Sequence, residues 1–180
     1  FDIHTANQKA AGLETRNQAK TFIYAWLFGA GNAKIGSIVG GNENKGAYLK
    51  SKFLKAVPAI KHLSNSVQHK AKEGFLYGLD HRKIHVRSAH SALNTLLQGA
   101  GSAICKKMIV EMDALFKERG LDVAWHAWVH DEVQLSCPPE IAEEVGKTCI
   151  EAIKRTEKFF GFRMPLDGEF NVGNNWAETH

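Results

Sequence analysis

The sequence has few of the features that stabilise secreted or membrane-embedded chains. Its 180 residues include four prolines and only three cysteines, none of them in a Cys-x-x-Cys pair. This cysteine pattern argues against a disulfide framework or a structural zinc site and fits a reducing compartment, so we expect a cytoplasmic protein. No apolar run approaches the roughly 18 residues of a membrane-spanning helix. Phe1 is neither an initiating Met nor the start of a leader pattern, and we interpret it as a cut or processed end.

What remains is the composition of a globular chain with an uneven charge distribution. Hydrophobic residues make up 44% and charged residues 23% of the sequence, and ten Phe and four Trp can build a core. Residues 1–90 hold 14 Lys and Arg but five Asp and Glu, whereas residues 91–180 hold nine against 14. The basic first half is typical of a chain that meets a polyanion, although a solvated lysine face gives the same count.

Hydrophobic periodicity predicts an α+β chain in which helices precede a small antiparallel sheet. Thr15 and Gln18 have the spacing of a capping box and mark the start of a helix. The predicted helices cover residues 3–12, 15–29, 43–57, 58–70, 90–119 and 138–160. The predicted extended segments are a ribbon within 75–87, a hairpin over 121–137 with its tip near His130 and Asp131, and a last strand from Phe162 to Phe170.

The helix over 15–29 carries functional side chains at every fourth position, namely Arg16, Lys20, Tyr24 and Phe28. In a helix the first three share a face and span about 12 Å along the axis. Arg can bind terminal phosphate oxygens with two donors and Lys adds a compact charge, while the aromatic rings offer surface for a sugar and a base. The spacing suits a triphosphate site. Spacing alone favours the alternative, a surface helix with two ordinary cations and two core aromatics.

The predicted hairpin carries two adjacent acids, Asp131 and Glu132, directly after His130. Carboxylate oxygens are hard ligands that suit Mg²⁺, and nucleotidyl transfer uses two such ions about 4 Å apart. The triplet therefore indicates a two-ion Mg²⁺ site, although an exposed acidic turn needs no metal.

The residues around both motifs resemble family A (DNA polymerase I type) DNA polymerases, most closely their phage replicative branch. Arg16-x-x-x-Lys20-x-x-x-Tyr24-x-x-x-Phe28-Gly29 is similar to the fingers helix that binds the incoming nucleotide, with Phe28 in place of the usual Tyr. Trp128-Val129-His130-Asp131-Glu132 is similar to the palm hairpin that carries a metal-binding aspartate. The resemblance implies helical fingers over 1–74, followed over 75–180 by part of the antiparallel-sheet palm of a right-hand polymerase.

Two further stretches extend the resemblance over essentially the whole chain. Asp2-Ile3-His4-Thr5 is similar to the segment whose His approaches the nucleotide phosphates. Residues 78–87 and 90–98 are similar to the strand and helix that track the duplex, which implies DNA-binding roles for Arg87, His90, Asn94 and Gln98, with His90 where many relatives have Arg. Asn94 and Gln98 lie at i and i+4, and their amides suit readout of the minor groove, where every pair presents similar acceptors. A solvated polar stripe is the alternative.

One expected family motif is missing from the sequence. The strand Asp-x-Ser-x-x-Glu-x-Arg, which holds the first metal aspartate, has no match, and Asp2 belongs to a different segment. We therefore expect that the N-terminal polymerase portion, including the thumb, lies outside this chain. The chain is then either a fragment or the C-terminal half of a polymerase encoded in two pieces, and we expect it to be inactive without the missing portion.

The resemblance implies template-directed DNA synthesis on a primer-template with deoxynucleoside triphosphates, in the cytoplasm of a bacterial or phage-infected host cell. Asp131 would bind metal, Glu132 would support that site, His130 would lie near the primer end, and Lys20 would neutralise or protonate the leaving pyrophosphate. Tyr24 would face the nucleotide sugar. A non-catalytic nucleic-acid-binding or assembly subunit is the alternative, and a metal-dependent nuclease lacks a second acidic cluster.

Overall fold

The computed structural model describes residues 2–180, so Phe1 and its interpretation as a processed end lie outside the described residues. The chain divides into two compact units, one up to Gly99 and one from Ala100 to His180. The elements in chain order are α1 (Ile3–Ala11), α2 (Arg16–Leu27), α3 (Asn32–Ser37), α4 (Glu43–Ala56), α5 (Pro58–Lys70), β1 (Phe75–Tyr77), β2 (Lys83–His85), α6 (Ala92–Arg119), β3 (Ala124–Val129), β4 (Glu132–Ser136), α7 (Ala142–Phe160) and α8 (Trp176–Thr179). None of these helices is long and apolar enough to cross a membrane.

Helix α2 begins where the capping box predicts. The Thr15 hydroxyl accepts a hydrogen bond from the Gln18 backbone N–H at 3.1 Å, and the Gln18 side chain accepts one from the Thr15 N–H at 3.2 Å. These bonds satisfy backbone donors that the first helical turn leaves free. Ala19, Phe22 and Ile23 form the buried face of the helix. The capping box prediction is confirmed.

An aromatic core lies beneath α2 in the first unit. The ring of Phe53 on α4 lies edge-on to the ring of Phe22 at 5.3 Å between centroids, and its centroid lies 5.9 Å from that of the Trp26 ring. Phe22 and Phe53 are fully buried. This packing fixes the rotation of α2 about its axis and so decides which of its residues face outward.

Helices α3 and α4 approach each other through two glycines. A Cβ atom at Gly46 would lie 1.9 Å from the carbonyl oxygen of Asn32, and one at Gly36 would lie 1.9 Å from that of Asn42. Both distances are far below van der Waals contact with backbone atoms that cannot rotate away. The close packing of α3 on α4 therefore requires glycine at both positions.

Two separate two-stranded antiparallel sheets confirm the predicted ribbon and hairpin. Strands β1 and β2 pair in the first unit, and β3 and β4 pair in the second. The hairpin register places Val129 opposite Glu132, so His130 and Asp131 form the tip as predicted. His130 adopts a left-handed φ of 58°, which a two-residue hairpin turn requires. A register shift between Trp125 and Ala127 interrupts the regular alternation that the sequence suggests.

The predicted last strand from Phe162 to Phe170 is wrong, because residues 162–170 form no strand. Side chains of α7 bind this backbone instead. The Leu166 N–H donates to the Glu157 carboxylate at 2.7 Å, and the Leu166 carbonyl accepts from the Lys154 ammonium. The ring of Phe170 packs against Gly146, where a Cβ would lie 2.2 Å from the ring. The segment binds a helix rather than a neighbouring strand.

Candidate nucleotide and metal sites

The exposed side of α2 carries an aromatic pair. Tyr24 is 45% and Phe28 55% exposed, and their rings are nearly parallel at 20° with 6.3 Å between centroids. Lys20, one turn before Tyr24, is also exposed. Two accessible aromatic rings side by side offer a surface on which a sugar or a base can pack. The structure thus leaves the side chains of all four predicted residues accessible to a ligand, since Arg16 is exposed as well.

His4 lies beside this aromatic pair. Its ring is 6.1 Å from the ring of Tyr24, tilted by 57°. Its Nδ1 atom is buried and has no hydrogen-bond partner among residues 2–180. A buried ring nitrogen without a partner is a site where a ligand or water can bind. His4 and Tyr24, which sequence reasoning placed at one site, are therefore adjacent.

Arg16 has a partner that sequence reasoning missed. Its Nε donates to Asp2 Oδ2 at 2.7 Å, and its terminal NH2 group donates to Oδ1 at 3.3 Å. Asp2 also caps α1 by accepting from the His4 N–H at 3.1 Å. The hydrogen bond from Arg16 holds the pKa of the Asp2 carboxyl well below its ordinary value and raises that of the guanidinium. This contact uses two of the five N–H donors of the guanidinium, so a phosphate that binds Arg16 shares the group with the Asp2 carboxylate or replaces it.

Two side chains donate hydrogen bonds to carbonyl groups just after the carboxyl end of α2. His90 Nε2 donates to the Gly29 carbonyl at 2.8 Å, and Lys50 Nζ donates to the next carbonyl, Ala30, at 2.7 Å. Partial burial lowers the pKa of Lys50. Both residues border a cavity of about 260 Å³. His90, predicted to bind DNA, thus contacts the backbone that follows α2, and Lys50 is a neighbour that the sequence did not indicate.

The other predicted DNA-binding residues of the first unit differ in exposure. Arg87 and Gln98 are exposed. Asn94 is half-buried, and its Oδ1 atom is buried without a hydrogen-bond partner in the described part of the chain. Asn94 and Gln98 both lie on α6, as predicted. A half-buried amide with a free acceptor and an exposed amide one turn later can both meet a ligand at this helix.

Residues 32–74 form a surface whose positive charge is largely uncompensated, which we call the basic surface. It contains eight lysines and two glutamates, and among residues 2–180 only Lys70 has an ion-pair partner, Glu73 at 2.7 Å. In the second unit, by contrast, six of nine Lys and Arg residues are paired with carboxylates. The unpaired lysines attract polyanions.

The two acids at the hairpin tip in the second unit, Asp131 and Glu132, differ in their hydrogen-bond partners. Asp131 is exposed, and its carboxylate has no hydrogen-bond or ion-pair partner among residues 2–180. The turn itself is held by Trp128, whose Nε1 donates to the His130 carbonyl at 2.7 Å. Asp131 therefore presents a free carboxylate at the end of a braced ribbon.

Glu132 has three donors around its carboxylate. Gln134 Nε2 lies 2.6 Å from Oε1, Trp176 Nε1 lies 2.9 Å from Oε1, and His180 Nδ1 lies 2.9 Å from Oε2. Hydrogen bonds from Gln134 and then His180 lower the pKa of this carboxyl. Trp176 and His180 follow Glu132 by 44 and 48 residues in the sequence, so no local sequence pattern indicated these two partners.

The described residues fit a metal site only in part. Nowhere in residues 2–180 do three His, Cys, Asp or Glu side chains come together in a way that could hold a metal ion. The unpartnered carboxylate of Asp131 fits as one ligand of a Mg²⁺ ion. Other ligands would have to come from elsewhere.

The fold defines the class of protein. The chain is similar to a solved structure, the POL domain of Pol1 from M. smegmatis in complex with DNA primer-template and dNTP, with a TM-score of 0.78 at 17% identity over 86% of this chain and 31% of that one. The likeness shows that the fold is that of part of a right-hand polymerase domain, which confirms the predicted fold class.

Sequence similarity then defines the family. The sequence model of DNA polymerase family A matches residues 2–178, and the chain belongs to this family. It is 46% identical to the DNA-directed DNA polymerase of Enterobacteria phage T3 and 47% identical to that of Escherichia phage T7, each over 99% of this chain. It spans about three tenths of the length of these curated relatives, 29% in both cases. The predicted resemblance is confirmed.

Proposed function

We propose that the chain supplies the nucleotide-binding helix and one metal-binding carboxylate of a DNA polymerase. The observation that carries the proposal is the exposed side of α2, where Lys20, Tyr24 and Phe28 lie on the opposite side from the buried face and His4 lies beside Tyr24. Membership of family A supports DNA synthesis as the reaction in which this helix takes part.

In the proposed reaction the primer 3′ oxygen attacks the α-phosphorus of a deoxynucleoside triphosphate. A bond forms between these two atoms, the bond from the α-phosphorus to the bridging oxygen of the β-phosphate breaks with its electron pair left on that oxygen, and the 3′ hydroxyl passes its proton to water. Arg16 and Lys20 bind the phosphates, and Lys20 neutralises or protonates the leaving pyrophosphate. Tyr24 contacts the sugar, and Phe28 contacts the base.

The hairpin serves the same reaction in the proposal. Asp131 is the metal ligand, Glu132 supports that site and His130 lies near the primer end. Mg²⁺, when bound, activates the attacking oxygen and stabilises the charge on the leaving group. The free carboxylate of Asp131, at a tip braced by Trp128, supports this role.

We also propose that primer-template DNA binds along the first unit. Arg87 and His90 would meet the backbone, and Asn94 and Gln98 would meet the minor groove. The partnerless Oδ1 of Asn94 supports a ligand at this helix, and the basic surface supports phosphate contacts.

The whole site requires the N-terminal polymerase portion, with the first metal aspartate and the thumb. The one free carboxylate at the hairpin supports this requirement, because two Mg²⁺ ions need more ligands than Asp131 provides. The chain is accordingly a fragment or one half of a split enzyme, and it is inactive alone.

A second candidate function is a non-catalytic nucleic-acid-binding or assembly subunit. It is favoured by the lack of a metal-ligating group of three side chains in residues 2–180. The test mixes the chain with the upstream portion of a family A polymerase and measures primer extension. Extension by the mixture and by neither part alone supports the enzyme. DNA binding without extension supports the assembly subunit.

A further inference from the structure

The segment from Asn171 to His180 folds back onto the hairpin that carries the acids. Trp176 Nε1 and His180 Nδ1 each lie 2.9 Å from a different oxygen of the Glu132 carboxylate. Because a carboxylate only accepts, Nδ1 of His180 carries the proton in this contact. The Thr179 hydroxyl donates to Gln134 Oε1 at 3.3 Å. We call Trp176, Thr179 and His180 the tail clamp.

The tail clamp is itself held in place by short-range hydrogen bonds. Glu178 accepts from the Asn174 N–H at 2.8 Å and from the Asn175 side chain at 2.7 Å. The Asn171 side chain donates to the Thr179 carbonyl at 3.3 Å. These bonds reduce the conformations open to a polar segment that contains little regular structure, so Trp176 and His180 are positioned before they meet Glu132.

Glu132 connects this segment to the turn. It follows Asp131 directly and pairs with Val129 across the ladder, so its backbone closes the hairpin. A carboxylate that already accepts from Trp176, His180 and Gln134 has few free lone pairs for a metal ion. The carboxylate of Asp131, in contrast, is free.

We propose that the tail clamp positions the metal carboxylate by holding Glu132. Trp176 and His180 are positioning residues that fix the start of β4 through Glu132, and the hairpin presents Asp131 as its single free carboxylate. The inference rests on the proposed polymerase function, which it extends from the hairpin to a segment more than 40 residues away. Outer-shell partners of this kind orient ligands, and their loss reduces activity about 10- to 100-fold.

The first experiment reads the contact itself and needs no activity. Four tryptophans give four indole N–H signals in a ¹⁵N spectrum of the full chain. The signal that disappears in Trp176→Phe is assigned to the indole N–H of Trp176. This signal is expected to shift, and its proton to exchange faster with solvent, in Glu132→Leu, because that change removes the acceptor. The Trp125 signal is the control, because its indole N–H has no partner within residues 2–180 and its ring packs on Phe116. A Trp176 signal that does not change in Glu132→Leu overturns the proposal.

The second experiment measures single-nucleotide addition by the chain reconstituted with the upstream polymerase portion. Trp176→Phe and His180→Ala are expected to lower kcat about 10-fold and to raise the Mg²⁺ concentration at half-maximal rate, with the KM for nucleotide unchanged. His180→Asn, which keeps an N–H donor near the position of Nδ1, retains most of the rate. Trp125→Phe is the matched control and retains the parental rate.

A double-mutant cycle shows whether the effect passes through Glu132. Trp176→Phe is expected to have little further effect in the Glu132→Leu background, because the shared interaction is already lost. Additive losses, or a change in KM alone, overturn the positioning role. If the parent mixture does not extend primers, the proposed function fails, while the indole signal still decides whether the tail clamp holds Glu132.

Discussion

Removing Arg16 and Lys20 one at a time is expected to change binding of nucleoside mono-, di- and triphosphates in different ways. One helical turn, about 6 Å along the axis, separates the two side chains, and a further turn separates Lys20 from Tyr24. If Tyr24 contacts the sugar, Lys20 reaches the inner phosphates and Arg16 the terminal one. Lys20→Gln should then weaken the binding of nucleoside di- and triphosphates to the same extent. Arg16→Gln should instead reduce the preference for the triphosphate over the diphosphate.

The magnitudes follow from the partners of each side chain in the free protein. Lys20 is exposed and has no ion-pair partner among the described residues, so its hydrogen bond to a phosphate replaces no bond within the protein. Removal of this charged hydrogen bond in Lys20→Gln is expected to lower the affinity about 10- to 100-fold. Arg16 already binds Asp2 through two nitrogens, so part of its charge and of its donors is compensated before a phosphate arrives. We therefore expect a smaller loss of about 3- to 10-fold.

The assay is equilibrium binding of the three nucleotides to the parent chain and to both variants. Lys34→Gln is the control, since Lys34 is an exposed lysine of the same unit on α3. The proposed alignment of the triphosphate along α2 would be refuted if Arg16→Gln and Lys20→Gln lost no more affinity than Lys34→Gln. It would also be refuted if each of the two variants lost the same affinity for the mono-, di- and triphosphate.

Three further predictions concern the sugar contact, the DNA surface and the packing of the first unit. Tyr24→Phe should incorporate fewer dideoxynucleotides than the parent in a terminator competition assay on the reconstituted enzyme, because the Tyr hydroxyl replaces the missing 3′ hydroxyl. Equal incorporation by the two enzymes contradicts the contact between Tyr24 and the sugar. Binding to primer-template DNA should weaken steeply as the salt concentration rises. Each Lys→Gln change that removes a phosphate contact from the basic surface should lower the slope of log K against log salt by about 0.9. An affinity that does not depend on salt contradicts the DNA-binding role of this surface. Gly46→Ala should lower the free energy of unfolding by as much as about 2 kcal/mol, because an overpacking cost of up to about 3 kcal/mol exceeds a helix-propensity gain of about 1 kcal/mol. Gly101→Ala, where nothing lies within 4 Å of the added carbon, should instead stabilise the chain by about 1 kcal/mol, and equal effects in a denaturant titration contradict the role of Gly46.

Local features of the fold were predictable from the sequence because their causes lie within a few residues. The capping box of Thr15 and Gln18 starts α2, and the hairpin tip falls at His130 and Asp131 as the apolar runs indicate. The segment from Phe162 to Phe170 has the apolar alternation of a strand, but its backbone partners are Glu157 and Lys154 on a helix. Alternation cannot distinguish these two kinds of partner.

The candidate site was predictable in its residue types and not in their partners. Spacing indicated that Arg16, Lys20 and Tyr24 lie along one helix, which the structure shows. It gave no indication that Asp2, 14 residues earlier, binds Arg16, or that Trp176 and His180 bind Glu132. Such contacts depend on how distant segments fold together, and a single sequence contains no periodic signal for them.

The most direct test of the central claim is primer extension by the reconstituted polymerase with Asp131→Ala. The proposal predicts that extension is abolished while binding to primer-template DNA is nearly unchanged, because the substitution removes a metal ligand and leaves the basic surface intact. Glu140→Ala, which removes an exposed acid of the same unit, is the control and should extend primers at the parental rate. Extension by Asp131→Ala at the parental rate would remove this hairpin from the metal site and contradict the proposed function.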